Sequence, residues 1–320
     1  MRTELCDLLD IKYPIIQGGM TLLGNWQLAS AVSEAGGLGF IGAGDAPPEY
    51  VLEQISRVRS QTQKPVGINV LLSSPYFEEV MALIIGGKVP VVATGSGNPE
   101  GCIDRFKEAG IKVIPVVSTV AMARRAEHAG ADAIVAEGVE SGGHVGETTT
   151  MALLPQIVDA VSIPVIAAGG IAEGRGMAAA MALGAQGIQM GTRFVSSTEC
   201  IAHPDFKQRI IRASDRATVV AGKSTGHPVR ILKNKMARQL LAMEKARASE
   251  ADLAHFMENT LRRGVLEGDV EHGLLMSGQT AGLVKSVKPV RAIIEDTVSE
   301  AEVVLRHLTA SSPAVDRHLT

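Results

Sequence analysis

Short apolar runs recur along the first part of the chain. Eight of them carry β-branched or other apolar side chains at nearly every position, which is typical of strands buried on both faces, as parallel strands are. These runs span 14–20, 37–43, 65–72, 90–97, 111–118, 131–138, 163–170 and 187–194. Helical patterns separate them, and the succession helix, glycine, strand repeats in SEAGGLGFI, KEAGIKVIPV, EHAGADAIVA and ALGAQGIQM.

This repetition predicts an α/β fold, a (β/α)₈ TIM barrel over residues 1–199, because eight strand–helix units with sequential crossovers fit that length. A doubly wound sheet is the alternative, although it gives no reason to stop at eight strands. Two of the intervening helices have readable ends. Asn98 and Ser118 are placed to open them, and Gly110 and Gly130 are placed to end them.

The regular alternation ends after Phe194. Residues 200–272 are charged and helical in pattern with no convincing strand, which predicts a small, mainly helical subdomain near the barrel mouth for substrate or cofactor. Residues 273–310 are predicted to return to the barrel with a C-terminal helix, and 311–320 to form a frayed tail.

Composition, charge and the distribution of cysteines indicate what kind of protein this is and where it works. The chain has 320 residues, 46% hydrophobic and 20% charged, enough for a large core. Its 31 basic and 34 acidic residues show no long run of one sign, so we expect no nucleic-acid or membrane partner. Cys6, Cys102 and Cys200 are scattered, which predicts buried free thiols in a reducing compartment. The N-terminus does not resemble a signal peptide, and no uninterrupted apolar run is long enough to span a membrane. We therefore expect a cytoplasmic protein.

Glycines crowd the ends of the last two predicted strands. IAAGGIAEGRG places Gly169 and Gly170 at the end of the seventh, and GIQMGTRF places Gly191 and Thr192 at the end of the eighth. In this barrel the loops after these two strands are the usual phosphate site, because glycine lets backbone N–H groups approach the anion. The pattern therefore favours a bound phosphate group over plain turns.

Other strand ends could line the remainder of a ring-shaped cofactor. QGGM ends the first strand with Gly18, Gly19 and Met20, whose backbone amides could meet the polar edge of a ring. Asn69, on the third strand, can both donate and accept hydrogen bonds. Glu137, at the end of the sixth, suits a ribityl hydroxyl, and a solvated or ion-paired loop carboxylate is the equal alternative.

The stretch AEGVESGGHVG places His144 just past the sixth predicted strand, on a loop kept thin by its glycines. A histidine there can protonate a carbon that has received a hydride, or hydrogen-bond a carbonyl that gains charge in the transition state. We therefore predict that His144 is catalytic, a turn-capping histidine being the alternative. Surface or structural roles are predicted for His203, His227 and His255, of which His227 in STGHPVR has the most unusual setting.

Several longer motifs together identify a family. AEGVESGGHVGETTT, VIAAGGIAEG, QMGTRF, AHPDFK, GHPVRILKNK and MSGQTAGL follow one another in the chain. From PIIQGGM to about Gly282 it resembles the flavin-dependent enoyl-acyl-carrier-protein reductases, type II. The earlier motifs are shared with the wider nitronate monooxygenase superfamily, whereas ATGSGNP, GHPVRILKNK and SGQTAG favour the reductase. TLLGNWQ, which contains Trp26, departs from the reductase pattern.

The resemblance implies a noncovalent FMN, reduced by NADH or NADPH and reoxidised by a trans-2-enoyl thioester on acyl carrier protein or CoA. Hydride would reach the β-carbon while His144 protonates the α-carbon or steadies the thioester oxygen. A homodimer and activation by a monovalent cation (K⁺, NH₄⁺ or Na⁺) are also implied. The residues implied to line the FMN are Gly18, Gly19, Met20, Asn69, Glu137, Gly143, Gly169, Gly170, Gly191, Thr192, Met276 and Gln279.

Three other functions stay open at this stage. A nitronate monooxygenase would use the same barrel, FMN and histidine with dioxygen as oxidant. An IMP-dehydrogenase-like enzyme shares the glycine phosphate signals but should carry a nucleophilic cysteine after the sixth strand, where this chain has His144 instead. A barrel that binds flavin without catalysis is the last alternative.

Overall fold

The computed structural model describes residues 1–97 and 99–310. One sheet of eight parallel strands comprises β1 (Ile15–Gln17), β2 (Gly39–Gly44), β3 (Val66–Leu71), β4 (Val91–Gly95), β5 (Lys112–Val117), β6 (Ile134–Glu137), β8 (Val165–Ala168) and β9 (Gly187–Met190). The strand order β1–β9–β8–β6–β5–β4–β3–β2 is closed by a bridge between Ile16 and Leu38. The predicted (β/α)₈ barrel is confirmed, with one strand at each of the eight apolar runs.

Successive side chains along each strand point to opposite sides of the sheet and pack into two different hydrophobic clusters. Val135 and Ile166 join an inner cluster, whereas their chain neighbours Ile134 and Val165 join the outer cluster against the helices. Helix α1 (Glu4–Leu9) adds Leu5, Cys6 and Leu9 to the inner cluster. Because α1 fills the amino-terminal end of the barrel, the carboxyl ends of the strands are left for the site.

Helices follow the strands in the expected alternation. They are α2 (Trp26–Glu34), α3 (Pro48–Gln61), α4 (Phe77–Gly86), α5 (Glu100–Glu108), α6 (Val120–His128), α7 (Thr150–Val158), α8 (Gly174–Ala182) and the short α9 (Thr192–Val195). Gly110 and Gly130 end α5 and α6 with φ of 74° and 93°, as predicted. Thr119, not Ser118, caps α6, because its hydroxyl accepts from Met122 N. The predicted cap Asn98 lies outside the described residues.

The region after the barrel contains α10 (Pro204–Ile211), β10 (Thr218–Ala221), a 3₁₀ turn (Lys223–Thr225), β11 (Val229–Leu232), α11 (Lys235–Lys245), α12 (Glu250–Met257) and α13 (Thr260–Val265). The expectation that residues 200–272 lack strands is wrong. β10 pairs antiparallel with β11, and β11 pairs with a two-residue strand, β7 (Gly143–His144). β10 and β11 have four residues each, and β7 has two and pairs with a strand far along the chain, so their own sequence carries little signal.

Helix α14 (Val290–Ala310) brings the chain back to the barrel, where it packs against α8 and α2. The Gly174 N–H donates to Glu300 at 2.7 Å and ties α8 to it. Division of the chain at residues 199 and 272 stays a prediction. The predicted frayed tail, 311–320, lies outside the described residues, and among those described no helix is long and apolar enough to cross a membrane.

Candidate active site

A cavity of about 430 Å³ lies at the carboxyl ends of the barrel strands, where the barrel meets the following region. His144 lines it, together with eleven of the twelve residues predicted for the cofactor: Gly18, Gly19, Met20, Asn69, Glu137, Gly143, Gly169, Gly170, Gly191, Thr192 and Met276. The exception is Gln279, whose exposed side chain lies off the cavity. Its backbone N–H donates to the Glu140 carbonyl, so only its neighbours Gly278 and Thr280 reach the lining.

One wall of the cavity joins the ends of β1 and β3. Gly19 lies so close to Asn69 that a Cβ added at Gly19 would overlap the Asn69 side chain. Gly18 lies beside Gln189 of β9, with room for a Cβ at 3.5 Å. Glycine at position 19 is therefore what lets the end of the first strand lie directly against the Asn69 amide.

The loop after β8 supplies a second, glycine-lined wall. Gly169 and Gly170 have φ of 86° and 76°, a left-handed conformation that glycine adopts without strain. A Cβ at Gly169 would lie 2.7 Å from the Gly138 carbonyl oxygen. The Thr192 hydroxyl, after β9, accepts from Gly278 N at 2.9 Å and links this wall to the final loop. The structure thus brings the residues predicted to bind phosphate together on a wall formed largely by backbone.

A carboxylate that the sequence analysis did not identify fixes the loop after β6. The Glu140 oxygens accept from Thr150 N at 2.9 and 3.0 Å and from the Thr150 hydroxyl at 3.0 Å, which caps the start of α7. Arg230 Nε donates to the Val139 carbonyl at 2.8 Å. Ten positions separate Glu140 from Thr150, so no capping motif in the sequence could have revealed the pair.

Glu137 presents its carboxyl to the cavity. The Ser141 hydroxyl donates to Oε1 at 2.7 Å, and no ion pair to Glu137 is present among residues 1–97 and 99–310. The side chain is half-buried, and the surrounding protein shields the carboxyl from bulk water. That burial raises the pKa of Glu137 to about 7, with the Ser141 hydrogen bond opposing the rise. Glu137 can therefore act as a donor or an acceptor near neutral pH.

His144 lies at the rim of the cavity and is held there by strand pairing. His144 pairs with Val229 in the short β7–β11 ladder, and Val145 N donates to the Pro228 carbonyl at 3.1 Å. The surrounding protein lowers the pKa of His144, a nearby histidine, His227, lowers it further, and Asp45 opposes both effects. The imidazole is consequently mostly neutral at pH 7.

His227 lines the same cavity, so its position differs from that of an ordinary surface histidine. Its ring lies 6.4 Å from that of His144, centroid to centroid, and perpendicular to it. The other two histidines match their predictions: His203 Nδ1 accepts from Asp205 N and caps α10, and His255 is exposed on α12. Trp26 begins α2 under the Arg57 guanidinium and does not line the cavity.

The three cysteines lie outside this site. Cys6, Cys102 and Cys200 are buried free thiols, as predicted, and none of them lines the cavity. Burial raises the pKa of Cys102 to about 11, which makes that thiol a poor nucleophile. Within the described part of the chain, no three His, Cys, Asp or Glu side chains converge in a way that could hold a metal ion.

Known proteins resemble the whole chain. The family model described as nitronate monooxygenase matches residues 2–84 and 72–300. The structure of FabK from Thermotoga maritima is 49% identical, covers 98% of this chain and 100% of its own, and superposes with a TM-score of 0.95. A probable nitronate monooxygenase of Staphylococcus saprophyticus is 33% identical over 95% of this chain and 99% of its own.

A third relative is an octahydroindene-carboxyl-CoA dehydrogenase of Mycobacterium tuberculosis, 32% identical over 99% of each chain. The superposition on the FabK structure agrees with the barrel. The resemblance to the type II enoyl reductases is supported by the high identity to FabK across nearly the full length of both chains. The chain belongs to the nitronate monooxygenase family of oxidoreductases.

Proposed function

We propose that this chain is an FMN-dependent reductase that uses NADH or NADPH to reduce trans-2-enoyl thioesters on acyl carrier protein or CoA. The observation that carries the proposal is a glycine-lined cavity with a histidine at its rim in a chain 49% identical to FabK over 98% of its length. The relative whose name contains a carboxyl-CoA ester adds support for a thioester substrate.

The cavity fits a flavin mononucleotide. Its volume of about 430 Å³ lies in the range of small-molecule sites. Gly19 and Gly169 lie so close to neighbouring residues that a Cβ at either position would clash, and their lack of side chains leaves backbone exposed on the cavity walls. Gly169, Gly170, Gly191 and Thr192 would hold the phosphate, while Gly18 to Met20 and Asn69 would hold the ring. The bound flavin would carry hydride from the nicotinamide to the enoyl substrate.

His144 would serve the substrate at the thioester end. Because burial and His227 lower its pKa, the neutral imidazole prevails at pH 7 and can donate a hydrogen bond to the thioester oxygen. If His144 instead protonates the α-carbon, its imidazole must carry a transferable proton at that moment, and a proton from solvent must replace it after each turnover. Glu137, with its pKa of about 7, would bind a ribityl hydroxyl in either protonation state.

The remaining parts of the proposal concern partners and location. The family resemblance supports a homodimer in the cytoplasm and activation by K⁺, NH₄⁺ or Na⁺. Size-exclusion chromatography with light scattering measures the first of these. Turnover in matched chloride salts of the three cations measures the activation. A monomer, or rates independent of the cation, would remove that part of the proposal.

Nitronate oxidation is the second candidate function. It is favoured by the family model, which spans most of the chain, and by the Staphylococcus relative. A neutral His144 could accept the proton that a nitroalkane loses from its α-carbon. Dioxygen would then reoxidise the cofactor, and no nicotinamide would be needed.

One spectroscopic experiment separates the candidates. The visible spectrum of the purified protein is recorded without oxygen, NADH is added, and crotonyl thioester follows. Bleaching by NADH and recovery on the thioester support the reductase. A spectrum that NADH leaves unchanged, with oxygen uptake on a nitroalkane, supports nitronate oxidation. A yellow protein inert to all three reagents would indicate a flavin-binding barrel without catalysis.

A further inference from the structure

Two imidazoles meet at the rim of the cavity. His144 and His227 lie edge to face with their ring centroids 6.4 Å apart, and both line the cavity. Both residues are exposed to solvent on one side. They come from positions far apart in the chain, one on the loop after β6 and the other just before β11. The proposed reaction assigns a role to His144 only, so the second ring requires an explanation.

The loop that carries His227 is fastened on both sides. Toward the barrel, Val145 N donates to the Pro228 carbonyl at 3.1 Å, next to the ladder that pairs His144 with Val229. Toward α11, the Glu244 carboxylate accepts from Gly222 N, Ser224 N and the Ser224 hydroxyl, each at 3.0 Å. These bonds hold the loop against the rim, so the approach of the two rings is built into the fold.

Few charges lie near the pair. His227 and Asp45, which follows β2, are the charged groups that act on His144, and they act in opposite directions. On the other side, Glu244 is already occupied by three hydrogen bonds, and Lys223 is exposed on the same loop as His227. Glu147 is exposed beyond His144 on its own loop. Two imidazolium charges at this separation repel, so the pair favours one proton over two.

We propose that His227 is a positioning residue for His144: its ring, held edge to face 6.4 Å away, disfavours a second positive charge at the rim and so sets the pH at which His144 gives up its proton. The role rests on the proposed function. Reduction forms a C–H bond at the β-carbon from a hydride and one at the α-carbon from a proton, while the carbon–carbon π bond breaks. The proton leaves His144, and water at the rim replaces it.

Histidine NMR titration tests the pair without any substrate. In His227→Gln, the midpoint for His144 should rise by on the order of 0.5 to 1 pH unit, as expected for unit charges 6.4 Å apart at an effective dielectric constant of roughly 40 to 80. Asp45→Asn should move the midpoint in the opposite direction. His255→Gln, on exposed α12, is the matched control and should leave it in place. An unmoved His144 midpoint in His227→Gln overturns the proposal.

Turnover provides the second measurement. Because His144 must carry its proton to protonate the α-carbon, its titration sets the alkaline limb of the kcat/KM profile for an enoyl thioester. That limb should move to higher pH in His227→Gln by the same amount as the NMR midpoint. Glu244→Gln, which weakens the hydrogen bonds that hold the His227 loop, should move the same limb of the profile in the same direction but by a smaller amount. A shifted NMR midpoint with no thioester reduction by the wild-type protein would defeat the proposed function alone. Thioester reduction with an unshifted profile in His227→Gln would defeat the role of His227.

Discussion

Replacing Glu137 by glutamine should make the flavin-free protein more stable, by an amount that grows as the pH rises from about 4.5 to 7. The half-buried carboxyl lines the cavity, and burial raises its pKa from 4.5 to about 7. Glutamine has the same shape and its amide oxygen can still accept from the Ser141 hydroxyl. The substitution therefore removes the buried charge and little else.

The size of the effect follows from proton linkage. A carboxyl whose pKa is higher in the folded than in the unfolded state costs no stability below the unfolded pKa. Its cost grows as pH rises from about 4.5 to 7 and is complete above that. The gap between these two values corresponds to about 3 kcal/mol. Between pH 5 and pH 8 the advantage of Glu137→Gln over the wild type should grow by about 2 to 3 kcal/mol.

Urea unfolding of both proteins at pH 5 and pH 8 measures this growth. The two midpoints at each pH, combined with a common denaturant slope, give the difference in unfolding free energy. Glu147→Gln, which removes an exposed carboxylate from the loop after β6, is the matched control. A stability difference between Glu137→Gln and wild type that is equal at the two pH values would refute the assignment of a buried, near-neutral carboxyl.

Three further predictions concern the cavity. His144→Ala should retain FMN, measured by absorbance, while enoyl reduction falls roughly 10²- to 10⁴-fold, the usual contribution of a positioned acid; unchanged turnover would remove His144 from the mechanism. Gly169→Ala should lose FMN in equilibrium dialysis and cost at least about 1 kcal/mol of stability, because its φ is 86° and the Gly138 carbonyl lies in the way. Gly101→Ala, in open space on α5, is its control. Gln279→Ala should leave FMN affinity unchanged, since that side chain lies off the cavity.

Much of the barrel and its cavity can be predicted from the sequence because local patterns carry the necessary information. Apolar runs of strand length, separated by helical periods and glycine stops, require eight strands and an order that the known handedness of crossovers completes. Since parallel strands end at one edge, residues at strand ends, such as Gly169 and Asn69, must converge there. The lining of the cavity follows this reasoning from Gly18 through Thr192.

Tertiary structure alone decided the remainder, because those contacts join positions with no common local pattern. β7 has two residues and becomes a strand only against β11, 85 positions later at the Val229–His144 pair. That ladder brings His227 beside His144. Likewise, Gln279 does not line the cavity, and its backbone N–H is bound to the carbonyl of Glu140 on a distant loop. The sequence by itself determined which strand ends meet, and the packing of the following region on the barrel decided which side chains face the cavity.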